Sequence, residues 1–131
     1  METSLSYASR SLIRPEGRDM AALIETCRRN NARLGVTGAL YFDGRQFFQV
    51  IEGDEAVVAC LFDAIRRDPR HTDVQIVARG PISRRAFAGW SMKFVDGAAH
   101  PQVRPRFVYE EATKKAPPHV QENRLADLRA A

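Results

Sequence analysis

Phe47-Phe48-Gln49-Val50-Ile51-Glu52-Gly53 reads as a β-strand with a polar side chain on its apolar face. Successive side chains alternate across a strand, so Gln49 shares one face with Phe47 and Ile51, while Phe48 and Val50 take the other. A buried carboxamide left without a partner costs about 1–3 kcal/mol. Just upstream, Val36 to Phe42 is a second strand-like run, and Asp43-Gly44 between the two is a hairpin turn signal. This hairpin is the frame on which the rest of the chain is placed.

On the N-terminal side, Leu5 to Ser9 reads as a first strand, with Tyr7 on one face beside Leu5 and Ser9. Pro15-Glu16-Gly17 opens a helix, with Glu16 and Asp19 near its positive end. Met20, Leu23, Ile24 and Cys27 recur at helical spacing, and Gly35 is the stop signal. After the hairpin, Gly53-Asp54 leads into a second helix, striped by Val58, Leu61, Phe62 and Ile65 and ending near Asp68-Pro69. Val74 to Ala78 and Trp90 to Val95 read as a fourth and a fifth strand. The order β-α-β-β-α-β-β predicts an α+β fold, a ferredoxin-like sandwich of one mixed five-stranded sheet with two helices on one face. Residues 1–97 form the domain. Beyond Gly97 the prolines Pro101, Pro105, Pro117 and Pro118 mark a change, and 98–131 reads as an extension with a short helix from Val120 to Ala130. The apolar outer face carrying Phe48 and Val50 asks for a cover, either that extension or a second subunit, so a homodimer is expected.

The 131 residues suit one domain, and 44% hydrophobic with 27% charged residues is ordinary for a soluble globular protein. No apolar run approaches a membrane span, and Met1-Glu2-Thr3-Ser4 carries no secretory signal. Two cysteines, Cys27 and Cys60, make no disulfide framework, and a cytoplasmic setting fits. The net charge of +4 comes largely from pairs such as Arg28-Arg29 and Arg66-Arg67, which read as solvated element ends. No basic stripe interleaved with aromatics points to nucleic acid.

Asn31 lies eleven residues after Met20, three helical turns on, and so returns to the apolar stripe. Tyr7, Asn31 and Gln49 are then three hydrogen-bonding side chains aimed at one core, with apolar walls from Leu23, Ile24 and Ile65. A planar, polar-edged heterocycle between the helices would satisfy them, and Arg70 and His71 could hold a phosphate at the rim.

The chain resembles the BLUF family, blue-light sensors that use flavin. The resemblance rests on five blocks in order: Leu5-Ser6-Tyr7-Ala8-Ser9; Asn31 through Leu40; Phe47 through Gly53; Asp68-Pro69-Arg70-His71; and Arg85 through Met92. It covers about residues 4–96 and suggests a short, stand-alone member with no effector domain and no enzymatic activity. It implies that Tyr7 is the photochemical electron donor and that Gln49 bridges its hydroxyl to the flavin. It further implies that Asn31 binds the pyrimidine side of the ring, with Ile24, Ile65 and Leu23 flanking it. Arg18 and Asn30 match positions lining the cofactor site. Asp68, Arg70 and His71 fall along the ribityl-phosphate path. Trp90 and Met92 are the residues that exchange places near Gln49, with Ser9 as their hydrogen-bond neighbour. FAD is the family's usual cofactor, with FMN and riboflavin as alternatives, and the signal passes to a separate downstream protein.

Two other functions fit the architecture. An acylphosphatase-like hydrolase would use an arginine and an asparagine, but Ala8 to Arg14 contains no glycine for a phosphate-cradling loop. An RNA-binding sheet would expose Phe48 and Tyr41, but the basic pairs do not flank them.

Overall fold

The computed structural model describes residues 1–14 and 18–97. In chain order the elements are β1 (Glu2–Ser11), α1 (Arg18–Leu34), β2 (Thr37–Phe42), β3 (Gln46–Asp54), α2 (Glu55–Arg66), β4 (His71–Pro81) and β5 (Lys93–Asp96). The hairpin forms where Asp43-Gly44 placed it. Asp43 Oδ1 accepts the Arg45 and Gln46 N–H groups at 2.9 and 2.8 Å, and Gly44 takes φ 97°. The returning strand β3 then pairs with β1 and β2 at once. Tyr7 and Leu40 both lie opposite Gln49 in the antiparallel registers.

The five strands make one sheet in the order β4-β1-β3-β2-β5, antiparallel except for the parallel β2–β5 pair. This is the mixed five-stranded sheet of the expected ferredoxin-like sandwich, and both helices pack on one face. α1 sets Met20 against Leu40, Phe42, Phe47 and Met92, with Leu23, Ile24 and Cys27 partly buried alongside. α2 sets Val58 and Phe62 against Leu5, Tyr7, Val36 and Ile51. The back of the sheet buries Ala39, Tyr41, Phe48, Val50 and Ala78 together with Phe87. The 98–131 extension, its Val120–Ala130 helix, and the helix opening at Pro15-Glu16-Gly17 lie outside the described residues.

Several boundaries differ from the expected ones. β1 begins at Glu2 because polar residues are paired there: the Thr3 hydroxyl donates to Gly80 O at 2.8 Å. β4 runs from His71 to Pro81 rather than Val74 to Ala78, and as an edge strand with irregular register it lacks a clean alternation. β5 starts at Lys93 rather than Trp90, because side chains of α1 take the carbonyls of Ser91 and Met92. α2 ends at Arg66, two residues before Asp68.

Candidate functional site

Gly35 fixes the end of α1 and with it the place of Asn31. At φ 68° it adopts a left-handed conformation that glycine tolerates. Gly35 N–H donates to Ala32 O, and Val36 N–H donates to Asn31 O at 2.8 Å, the double bond of a Schellman cap. The helix therefore stops with Asn31 buried, 2% exposed, on the sheet side of its last turns. Asn31 Nδ2 donates to Ser91 O at 2.7 Å, and among the described residues its Oδ1 accepts no hydrogen bond.

Tyr7 and Gln49 face each other because β1 and β3 pair in that register. The Tyr7 hydroxyl donates to Gln49 Oε1, and Gln49 Nε2 lies 3.7 Å from Met92 Sδ. The reverse amide orientation would set an oxygen against a thioether, which offers no proton. Tyr7 and Gln49 are 3% and 2% exposed. Burial, reinforced by Cys27 and Asp68, holds the Tyr7 phenol well above its ordinary pKa.

Tyr7 and Gln49 lie in the floor of a small cleft lined by Tyr7, Leu23, Cys27, Leu40, Phe47, Gln49, Ile65, Asp68, Arg70 and His71. A mostly apolar wall with a few convergent polar groups is typical of a cofactor pocket. Arg70 pairs with Asp68 at 3.4 Å beside it. Burial pushes the Cys27 thiol up to about 11, with Arg70 pulling it down and Asp68 adding to the rise.

The structure thus brings together Tyr7, Leu23, Gln49, Ile65, Asp68, Arg70 and His71. Met92 and Asn31 adjoin this group, and Ile24 stands behind it in the cluster under α1. Other placements depart from expectation. Trp90 is half exposed, with Lys93 Nζ 5.6 Å from its ring, so Met92 rather than Trp90 faces Gln49. Ser9 bonds His71, not Trp90 or Met92: Ser9 Oγ lies 2.7 Å from His71 Nδ1. His71 Nε2 lies 2.6 Å from Ile65 O, a contact in which the ring donates. His71 is thus a buried brace across β1, α2 and β4 rather than a residue of the rim. Arg18 is exposed at the start of α1. Asn30 lines a separate groove with Arg33, Leu34, Val57, Cys60 and Leu61.

Three lining residues carried no role in the sequence reading. They are Cys27, Leu40 and Phe47, although Cys27 sits one helical turn before Asn31 and Phe47 shares the Gln49 face. Arg28, read as solvated, donates through Nε to Met92 O at 3.2 Å.

The arrangement defines a class: an α+β sandwich with an inter-helix cofactor slot floored by a phenol–carboxamide pair. Residues 3–93 match the family described as BLUF, "Sensors of blue-light using FAD". Similar proteins include the photoactivated adenylate cyclase subunit beta of Euglena longa, 41% identical over 92 residues (69% of this chain, 11% of that protein). The blue light- and temperature-regulated antirepressor BluF of Escherichia coli (strain K12) is 31% identical over 100 residues, 76% of this chain and 25% of that one. The solved dark-state structure of BlrB, a BLUF protein, aligns with a TM-score of 0.75 at 30% identity, covering 98% of this chain and 96% of that one. The chain belongs to the BLUF family of flavin-based blue-light sensors. It spans about a tenth of the length of the cyclase subunit and a quarter of that of the antirepressor.

The residues fit a flavin. The pyrimidine ring of a flavin has both donor and acceptor atoms on one edge, and the unpartnered Asn31 Oδ1 with its adjacent amide nitrogen matches such an edge. Leu23 and Ile65 supply apolar walls for a flat ring.

Proposed function

We propose that Tyr7, Gln49 and Met92 are the light-responsive core of this sensor, and that the segment 85–92 carries the change outward. The observation that carries this reading is the continuous chain from the Tyr7 hydroxyl through the Gln49 carboxamide to the Met92 sulfur. When bound, the flavin supplies blue absorption and an excited state that is a strong one-electron oxidant. Tyr7 is the phenol that borders the cleft, and its raised pKa keeps it protonated in the dark. A phenol that has lost an electron is a strong acid, so its proton moves along the existing bond to Gln49 Oε1. The carboxamide would then present a donor where it had an acceptor, by releasing a proton from Nε2 as Oε1 takes one up or by rotating, in either case with no covalent bond to the cofactor. Its hold on Met92 changes with it. Because Ser91 and Met92 carbonyls are tied to Asn31 and Arg28, the shift reaches α1 and β5 together.

Asn31 binds the polar ring edge in this reading, and Arg70 at the cleft mouth holds the first phosphate. That grip is common to FAD and FMN, with FAD the expected occupant. The downstream partner is a separate protein, contacted through the 85–92 segment or β5. We also propose a homodimer in the cytoplasm, the two free cysteines fitting a reducing setting; the apolar back of the sheet is already buried within one chain and does not itself call for the second copy. The hydrolase alternative gains no support from the family match.

The purified protein should be yellow, with a blue band that shifts reversibly to the red under blue light. Tyr7→Phe should keep the colour and lose the shift. A colourless protein that takes up no added flavin, or an unaltered response in Tyr7→Phe, would overturn the assignment.

A further inference from the structure

Glu52 is a carboxylate that is 1% exposed, on the face of β3 opposite the cleft. It lies three residues beyond Gln49 on the same strand. A buried anion is strongly unfavourable unless hydrogen bonds surround it, and here they come mainly from one loop. Glu52 Oε1 accepts the Thr37 hydroxyl at 2.8 Å and Phe87 N–H at 2.7 Å, while Oε2 accepts Ala86 N–H at 3.0 Å. Two successive backbone N–H groups on one carboxylate form a small anion nest. The preceding residue is fixed as well. Arg85 pairs in a fork with Glu2 at 2.6 and 2.8 Å and donates to Gly35 O at 2.7 Å.

From this anchor the segment makes a turn, Trp90 N–H to Phe87 O at 2.9 Å, and then passes β2, where Gly38 N–H donates to Trp90 O at 3.1 Å. It ends at Met92, against Gln49. Strand β3 therefore grips the segment twice, by Glu52 at its start on one face and by Gln49 at its end on the other. Only four residues lie between Phe87 and Met92, so the position of the first grip sets the slack available to the second.

We propose that Glu52 is a positioning residue for the light response: by holding the Ala86 and Phe87 N–H groups it fixes the length of segment 87–92 and so seats Met92 against Gln49. This deepens the reading above and rests on it. Glu52 touches no reacting atom; it acts through the loop. A chain released at 86 and 87 reaches the Met92 seat less directly, so the return to the dark state slows.

The test uses the full chain with Glu52→Gln and Thr37→Val. Glutamine keeps one acceptor oxygen but turns an NH₂ group toward a backbone donor. Valine removes one donor and leaves the carboxylate on the loop. Amide hydrogen exchange in the dark, without added flavin, reads the anchor; dark recovery after blue light reads its effect on the response. In wild type the Ala86 and Phe87 amides should be protected. Glu52→Gln should accelerate exchange about tenfold at 86, 87 and the downstream bond of Gly38, and slow recovery about threefold or more, with flavin content unchanged. Thr37→Val should accelerate Phe87 exchange about threefold, because the carboxylate loses a positioning partner. Unprotected amides at 86 and 87 in wild type would overturn the proposal. So would loosening in Glu52→Gln that stops at Phe87 and leaves Gly38 exchange and recovery unchanged. If Glu52→Gln does not fold, unchanged Phe87 exchange in Thr37→Val has the same force. Failure of the underlying reading looks different: wild type itself binds no flavin or shows no shift.

Discussion

The Tyr7–Gln49 pair can be weighed by a double-mutant cycle. Tyr7→Phe leaves the ring in place, with its neighbour Phe62 5.6 Å away between centroids, and removes only the hydroxyl. Gln49 Oε1, on a residue 2% exposed, is then an unpaired buried acceptor, at a cost of about 1–3 kcal/mol. Gln49→Leu keeps a similar volume and orphans the Tyr7 hydroxyl instead, for a similar cost of about 1–3 kcal/mol. The double variant has neither orphan, since both partners become apolar. The two single losses should therefore not add: the double variant should be more stable than their sum by about 2–6 kcal/mol, well beyond the roughly 0.5 kcal/mol expected of independent sites. For a domain of this size each lost kcal/mol lowers the melting temperature by about 4–8 °C. The assay is urea unfolding of flavin-free protein followed by far-ultraviolet circular dichroism. Losses that add within about 0.5 kcal/mol would show that the two groups are not coupled in the folded chain, and the proton route proposed above would fall with them.

At pH 8 a thiol reagent should modify Cys60, which is exposed, and spare Cys27, whose thiol burial pushes up to about 11; mass spectrometry of the labelled peptides decides, and equal labelling would refute the packing of the cleft. Both Cys27 and Tyr7 are acids whose folded-state pKa is raised, so the stability they contribute is complete below their unfolded values, about 8.5 and about 10. It declines as pH climbs, through about 11 for Cys27 and further still for Tyr7. The melting temperature should hold steady between neutrality and about pH 8.5 and fall above it, with a shallower fall in Cys27→Ala; identical slopes in the two proteins would count against the assignment. A Cβ at Gly38 would overlap the Val50 carbonyl oxygen, a backbone atom that cannot swing aside. Gly38→Ala should accordingly lower the melting temperature by about 4–24 °C, as overpacking of about 1–3 kcal/mol implies, and a variant as stable as wild type would contradict the close β2–β3 approach.

Much of the site was legible because it rests on periodicity. Period two put Tyr7 and Gln49 on the faces of Leu5 and Ile51, and helical spacing returned Asn31 to the stripe of Met20. Gly35 marked the stop that fixes Asn31 in place. What escaped the sequence depends on elements meeting across the fold. His71 reads as a loop residue until β1, α2 and β4 bring Ser9 and Ile65 to its two nitrogens. Trp90 and Met92 have the spacing of one strand face, but the strand does not extend to them. Met92 is the buried one of the two because Asn31 holds the Ser91 carbonyl, Arg28 the Met92 carbonyl and Gln49 the Met92 sulfur. Glu52 gave no sign of its burial, since a glutamate near the end of a strand is ordinarily solvated.

The helix-side interior is two separate apolar clusters, one beneath each helix, with the cleft between them. A newly made chain without its pigment thus lacks a keel. Flavin supply would then govern not only colour but survival, because binding to the folded form alone shifts the folding balance by mass action, and chains short of it would linger in the states that proteases clear. Cells starved of the vitamin should hold less of this protein, not merely a colourless stock of it.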